Sequence, residues 1–223
     1  MGRPLNGTER EWLAYLHDLG FEEVYLPRPG GDLEAVAREA AECTACKLAA
    51  GRLNVVFGSG RPGARLMLIG EGPGAAEDRQ GLPFVGPAGD LLTRILRAID
   101  LERSDVYIAN IVKCRPPGNR DPEPDEVAAC RGYLERQIDL VAPRVIVALG
   151  RVAAQTLLGR DAPLGRMRGV WHEIRGIPAR VTYHPAALLR NSGYRQPTWA
   201  DMQAVRDRLV GGAGEPPGEA LLE

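Results

Sequence analysis

The stretch Leu66–Gly89, LMLIGEGPGAAEDRQGLPFVGPAG, constrains the chain more than any other. It opens with an apolar run, Leu66-Met67-Leu68-Ile69, of the kind that makes a strand buried on both faces. The run breaks into Gly70-Glu71-Gly72-Pro73-Gly74, a loop with almost no side-chain bulk, whose backbone amides a ligand could approach closely. A second Gly/Pro-bounded loop, Gly81-Leu82-Pro83-Phe84-Val85-Gly86, carries a single aromatic. Gly89–Asp100 then reads as a helix with Leu91, Leu92, Ile95, Leu96 and Ile99 on one face. In a parallel α/β sheet, ligands bind beyond the carboxyl ends of the strands, so these loops fall where a site belongs. The alternative is an ordinary glycine-rich connection between a strand and a helix.

The rest of the chain repeats this alternation. Residues 8–20 predict a short amphipathic helix, with Trp12, Leu13, Leu16 and Leu19 on its apolar side and Gly20 at its end. Val24-Tyr25-Leu26 reads as extended and Pro27–Gly31 as a linker. A helix over Leu33–Glu42 follows, and Val55-Val56-Phe57 is a candidate short strand. Asp105–Val112 and Pro143–Gly150 predict two further buried strands, with helices over Asp125–Val141 and Val152–Leu158. Trp171–Ile174 and Ala179–Tyr183 read as two strands around the turn Gly176–Pro178, and His184-Pro185 closes the second. A last helix spans Pro197–Leu209. The tail from Gly211 to Glu223 is rich in Gly, Pro and Glu, a composition that predicts disorder. The alternation argues for a three-layer α/β/α sandwich around a mainly parallel central sheet. It divides the chain into an N-terminal extension and linker (1–31), one domain (32–210) and a tail (211–223).

Composition narrows the function classes. With 223 residues, 44% of them hydrophobic, the chain can bury one substantial core. No apolar run approaches membrane-spanning length and no signal-peptide pattern opens the sequence, so the expectation is a cytoplasmic protein without a membrane partner. A net charge of −1 gives no global sign of a nucleic-acid binder, and any such contact must rest on a local basic patch.

Four cysteines are too few for a disulfide scaffold, and in a reducing compartment they suggest a metal first. Cys43 and Cys46 form a C-x-x-C pair at a helix end. Cys114 closes a strand, and Cys130 follows after fifteen intervening residues, inside the next helix. Four thiolates from two regions suit a tetrahedral zinc or an iron–sulfur cluster, and the widely split second pair favours the cluster.

At this point the motifs resemble a family. GEGPG at 70–74, GLPFVG at 81–86, NIVKCRPPGNR at 110–120 and HPAALLRN at 184–191 are similar to those of the family 4 uracil-DNA glycosylases, bacterial and archaeal enzymes that carry a [4Fe–4S] cluster. The similarity runs from about Leu33 to about Leu209. It implies base-excision repair: uracil is flipped out of single- or double-stranded DNA and its N-glycosidic bond hydrolysed, leaving an abasic site. It implies a monomer working in the cytoplasm at the nucleoid. It also implies that Cys43, Cys46, Cys114 and Cys130 hold the cluster, and that Glu71, Gly72, Pro73, Phe84, Asn110 and His184 bind the uracil. Two of these, Glu71 and His184, are the expected catalytic residues.

The individual residues agree with that implication while keeping plainer roles open. A flipped base needs a stacking surface, which Phe84 offers; the plainer role is a core anchor. Asn110 lies in an apolar strand, where an unpaired amide is costly. It is either satisfied structurally or kept for a ligand, and one amide can meet both O4 and N3–H of uracil. A donor at His184 would stabilise the departing uracil anion. The water-orienting carboxylate is open among Glu71 and, following it on the loop, Glu77 and Asp78, with Glu71 favoured because it adjoins Gly72, where a better-known branch carries aspartate. Leu188 and Leu189 are candidates for a wedge filling the gap in the duplex, or for core packing. Lys113, Arg115, Arg120, Arg190 and Arg195 are candidates for a phosphate-contacting rim. His17 and His172 read as surface or structural.

Two alternatives differ in class. A crosslinking relative of these enzymes carries GEQPG and a basic insertion ending in histidine. Here Gly72 replaces the glutamine, and Gly165–Gly169 runs on to Trp171 without that insertion, so turnover is expected. The other alternative is a non-catalytic DNA-binding module containing a cluster or zinc.

Overall fold

A computed structural model describes residues 7–20 and 32–211, with side chains from residue 11 onward. The expected extension at Val24–Leu26, the linker and residues 212–223 of the tail lie outside the described residues. By their internal contacts the chain divides into Met1–Gly31 and Asp32–Glu223. The first unit holds helix α1 (Gly7–Asp18), in which Leu13 and Leu16 are half-buried, Trp12 and Leu19 are exposed, and Trp12 meets Tyr15 edge to face.

The second unit is built on five strands: β1 (Leu66–Gly70), β2 (Val106–Asn110), β3 (Val145–Leu149), β4 (Trp171–Ile174) and β5 (Ile177–Thr182). Their order across the sheet is β2-β1-β3-β5-β4. The first four run parallel, and every residue of β1, β2 and β3 is buried, as continuous Val/Ile/Leu runs demand when helices cover both faces. β4 joins antiparallel because the two residues between it and β5, Arg175 and Gly176, both adopt positive φ (53° and 79°), the two-residue turn that matches strand twist.

The helices of this unit are α2 (Leu33–Ala41), α3 (Ala75–Gln80), α4 (Pro87–Arg97), α5 (Pro124–Val141), α6 (Arg151–Leu158), α7 (Leu164–Met167), α8 (Pro185–Arg190) and α9 (Arg195–Val210). Leu134, Ile138 and Val141 of α5 pack with Ala153 and Ala154 of α6 over Met67, Ile69 and Ile146 on one face of the sheet. Leu92 and Leu96 of α4 pack with Met202, Val205 and Leu209 of α9 over Leu66, Leu68, Val145 and Val147 on the other. The layers are therefore α/β/α, as the alternation predicts.

Three local expectations are corrected. Val55–Phe57 is not a strand. Val56 N–H donates to Lys113 O, but beyond it Gly60 turns with φ 135°, and a Cβ there would stand 2.3 Å from Val106 O. The segment keeps only one bridge, Ser59 to Ile108. Glu77 and Asp78 lie on α3 and not on a continued loop, because a six-residue helix fits between the two glycine-bounded turns. The helix expected from Gly89 starts earlier, at Pro87, a residue whose fixed φ suits a first turn.

Asp201 of α9 is fully buried and accepts from two arginines, Arg180 Nε of β5 at 3.1 Å and Arg168 Nη2, just before β4, at 2.9 Å. This clamp fixes α9 against β5, the strand that delivers His184. Removing one partner of such a buried set leaves charge without compensation, and Asp201→Ala is expected to lower unfolding free energy by about 3–5 kcal/mol in urea titrations. A change within error of zero would show that the arginines find other acceptors.

Candidate active site

The chain leaves β1 toward β2 on one side and later reaches β3 on the other, so the sheet's switch point lies between β1 and β3. The turns beyond these carboxyl ends enclose a cleft of about 420 Å³. Glu71, Gly72, Pro73 and Gly74 after β1 line it, with Asn110 at the end of β2, Phe84 from the second loop, and His184 after β5. All six residues expected to bind the base thus converge on one cavity.

At its floor, Gly70 and Asn110 are register partners on adjacent strands. A Cβ at Gly70 would stand 2.4 Å from Asn110 Oδ1 and 2.7 Å from Phe84 Cζ. Only glycine lets the amide and the ring meet there. Asn110 is 1% exposed and its Oδ1 has no hydrogen-bond partner among the described residues, an uncommon and costly state for a buried amide oxygen. The residue's backbone carbonyl, in contrast, accepts from Lys113 Nζ at 2.7 Å. Lys113 is itself buried, donating also to Gln137, which bonds Phe57 O and the Tyr107 hydroxyl. Lys113 is therefore no part of a phosphate rim; its ammonium braces β2 from inside.

Phe84 is both core anchor and cleft wall: it packs with Leu66, Leu68 and Leu92 while its ring lines the cavity. Its backbone is left-handed (φ 53°), a strained choice for a bulky residue. Two side chains hold that conformation. Arg103 donates to Phe84 O and Pro83 O, at 3.1 and 2.9 Å, and Glu77 Oε1 accepts from the Val85 and Gly86 amides at 3.0 and 3.2 Å. Asp78 accepts from the Leu53 and Asn54 amides. Both α3 carboxylates are committed to backbone, which leaves Glu71 as the one of the three considered that faces the cavity with no such bond.

Glu71 is half-buried, and its carboxyl is pushed up to about 7. Burial contributes most; the charge of Asp121 and a hydrogen bond to it add, while Arg151 opposes. Asp121 in turn pairs with Arg151. Neither Asp121 nor Arg151 was apparent as a site residue. Arg151 could have been, since it follows β3 at the switch point, where residues face a ligand.

His184 is the N-cap of α8, and its Nδ1 accepts from the Ala186 amide at 3.2 Å. Burial pushes the imidazole down to about 4, and Arg190 adds to that while Glu77 resists. The ring is therefore neutral at working pH, with Nδ1 as acceptor and the proton on Nε2. It lies against Phe84 with centroids 5.4 Å apart. In α8, Leu188 is buried in the fold and Leu189 is 48% exposed, so only Leu189 remains free to act as a wedge. Of the expected rim, Arg190 and Arg120 line the cleft, and Arg120 is forked onto Glu126. His172 bonds Met167 O and has a structural place.

A second, smaller pocket lies behind β2. Cys43, Cys46, Cys114 and Cys130 all line it, among the methyls of Ala40, Ala45, Ala49 and Ala129. Lys113 N–H donates to Cys130 Sγ at 3.3 Å, and Arg52 Nη1 to Cys114 Sγ at 3.4 Å. Among the described residues, no three Cys, His, Asp or Glu side chains gather tightly enough to clasp a single metal ion.

A family model described as the uracil DNA glycosylase superfamily matches residues 57–203. A type-4 uracil-DNA glycosylase of Sulfurisphaera tokodaii is 44% identical over 187 residues, 80% of this chain and 85% of that protein. One of Thermotoga maritima is 47% identical over 163 residues, 71% of this chain and 84% of that protein. One of Archaeoglobus fulgidus is 41% identical over 181 residues, 78% of this chain and 91% of that protein.

Proposed function

The chain belongs to the uracil DNA glycosylase superfamily, and from that premise we propose that it is a type-4 uracil-DNA glycosylase that hydrolyses the N-glycosidic bond of uracil in DNA. It acts as a monomer in the cytoplasm on single- or double-stranded DNA, and leaves free uracil and an abasic site. The strongest support is the Asn110 amide oxygen, buried beside the cleft without a partner among the described residues. A buried acceptor left open in a cavity is satisfied by a ligand donor, and the N3–H of uracil is such a donor.

The remaining residues follow from the base's chemistry. Uracil lies against Phe84, the amide nitrogen of Asn110 donates to O4, and the Gly72 loop supplies backbone amides beside Pro73. As the bond from C1′ to N1 breaks, its electron pair passes onto the base, and charge develops at O2. The neutral His184 offers Nε2–H to that oxygen, a preorganised donor that pays no deprotonation cost. Glu71, as carboxylate, faces the sugar side, where it orients water and offsets the positive ring.

The cysteine pocket fits an iron–sulfur cluster. Its donors are four sulfurs, two already accept hydrogen bonds, and alanine methyls line the pocket beside them. Cys43, Cys46, Cys114 and Cys130 would hold a [4Fe–4S] group, which contributes cohesion between the turn after α2, the end of β2 and α5. Metal analysis of protein purified without oxygen is expected to give about four irons per chain and a brown colour. Stoichiometric zinc without iron would contradict this.

Base reading is tested with matched strands, single and duplex, containing uracil or cytosine. The unaltered protein is expected to release uracil only, because cytosine reverses the hydrogen-bond polarity at both N3 and position 4. Asn110→Asp replaces the donor by an acceptor and should cut uracil release sharply; Asn110→Ala should do so with no cytosine release. Full uracil release by either variant would mean that the base is read elsewhere.

A further inference from the structure

The cysteine pocket is assembled from unequal halves. Cys114, after β2, and Cys130, within α5, are buried, whereas Cys43 and Cys46 are half-buried and stand on the turn after α2. That helix has only nine residues, and its end leaves carbonyls without partners of its own. The core therefore fixes the second pair of cysteines, and the first pair depends on some further tie.

Arg52 supplies one. It is half-buried and reaches back over the single 3-10 turn Lys47–Ala50. Its Nη2 donates to Ala41 O at 3.1 Å, and its Nη1 donates to Cys43 O at 2.6 Å and to Cys114 Sγ at 3.4 Å. One planar fork thus joins the end of α2, the first cysteine and a sulfur of the second pair. Arginine suits the place. Its rigid set of donors addresses two carbonyls together, and its charge stands where the negative end of a helix and a thiolate both favour it. The neighbouring cation, Lys47, is turned elsewhere, onto Glu123 and Asp125.

We propose that Arg52 is a positioning residue for the metal group: it closes the Cys43–Cys46 turn onto Cys114, and its charge lies against the Cys114 sulfur when the group is bound. This rests on the cluster reading given above. Two consequences separate the role from ordinary packing. Partners that orient metal ligands typically change metal affinity by roughly 10–100-fold, so Arg52→Gln, which loses the fork and the charge, should lose metal faster. A hydrogen bond and a positive charge at a cluster sulfur favour the form with the extra electron, so the same variant should have a more negative reduction potential. Arg52→Lys keeps the charge without the planar fork. It should also lose metal faster, with a potential nearer that of the unaltered protein. The control is Arg136→Gln, because Arg136 ties α2 to α5 through Glu39 at 2.6 Å, a bond that does not involve the cysteines.

In the experiment, the full chain purified without oxygen is held in excess EDTA under argon, and the metal left on the protein is measured at timed intervals. The potential is read by mediator titration followed by electron paramagnetic resonance. Arg52→Gln is expected to release metal roughly tenfold faster or more, and Arg136→Gln at the unaltered rate. Release from Arg52→Gln at the unaltered rate would overturn the proposal, as would equal acceleration by Arg136→Gln, the mark of a generic tether. Faster release with an unmoved potential in both Arg52 variants would overturn it too, since the guanidinium would then fasten backbone alone. Where far-UV circular dichroism shows that Arg52→Gln does not fold, Arg52→Lys carries the release test under the same rule. The two readings fail separately. Zinc in the unaltered protein would reject the cluster and leave the clamp to be judged by zinc release. Iron whose release is insensitive to Arg52 would keep the cluster and reject the clamp.

Discussion

The clearance above Gly70 is the constraint on which the cleft depends. With a Cβ at that position, Asn110 Oδ1 and the Phe84 ring could not both occupy the places they hold. Everything else about the site elaborates that meeting. β1 and β2 are locked in parallel register, so Asn110 stands beside Gly70. Arg103 and Glu77 hold the left-handed turn that swings Phe84 over it. Among the described residues the amide oxygen is left without a hydrogen-bond partner, a deficit that a ligand supplying a donor would relieve.

Rigidity behind the cleft comes from buried polar groups and not from apolar packing alone. Lys113 ties the Asn110 carbonyl to Gln137, and through it to Tyr107 and Phe57. Its own amide donates to Cys130 Sγ, so Asn110 and the cysteine pocket share one short segment of backbone. On the opposite flank, Asp201 fixes Arg168 and Arg180, and Arg168 lies over Tyr183, next to His184. Such networks cost desolvation, yet they permit only one arrangement when every member is satisfied. A site that must hold a flipped base in a set orientation gains from that uniqueness.

Much of this was legible in the residues. The apolar runs of β1, β2 and β3 marked strands buried on both faces, and the glycine-rich turn after the first marked the site. Asn110 stood out because an amide inside an apolar run needs a reason. What stayed hidden depends on distant contacts. Nothing local reveals that Lys113 turns inward, since a lysine beside arginines at a strand end reads as a basic patch until Gln137, twenty-four residues later, proves to accept from it. Asp121, in the turn between β2 and α5, and Arg151, just after β3, meet across thirty residues of chain, a pairing no motif carries. Val55–Phe57 has the composition of a strand, but Gly58 and Gly60 turn the chain before a ladder forms.

The central claim is that a neutral His184, with its proton on Nε2, stabilises the charge leaving on the base. Its most direct test is single-turnover release of uracil from a synthetic strand at saturating enzyme, comparing the unaltered protein with His184→Ala. The account predicts that substrate binding is retained while the rate falls roughly a hundredfold or more, the usual loss for one donor aimed at developing charge. A variant as fast as the unaltered protein would contradict it.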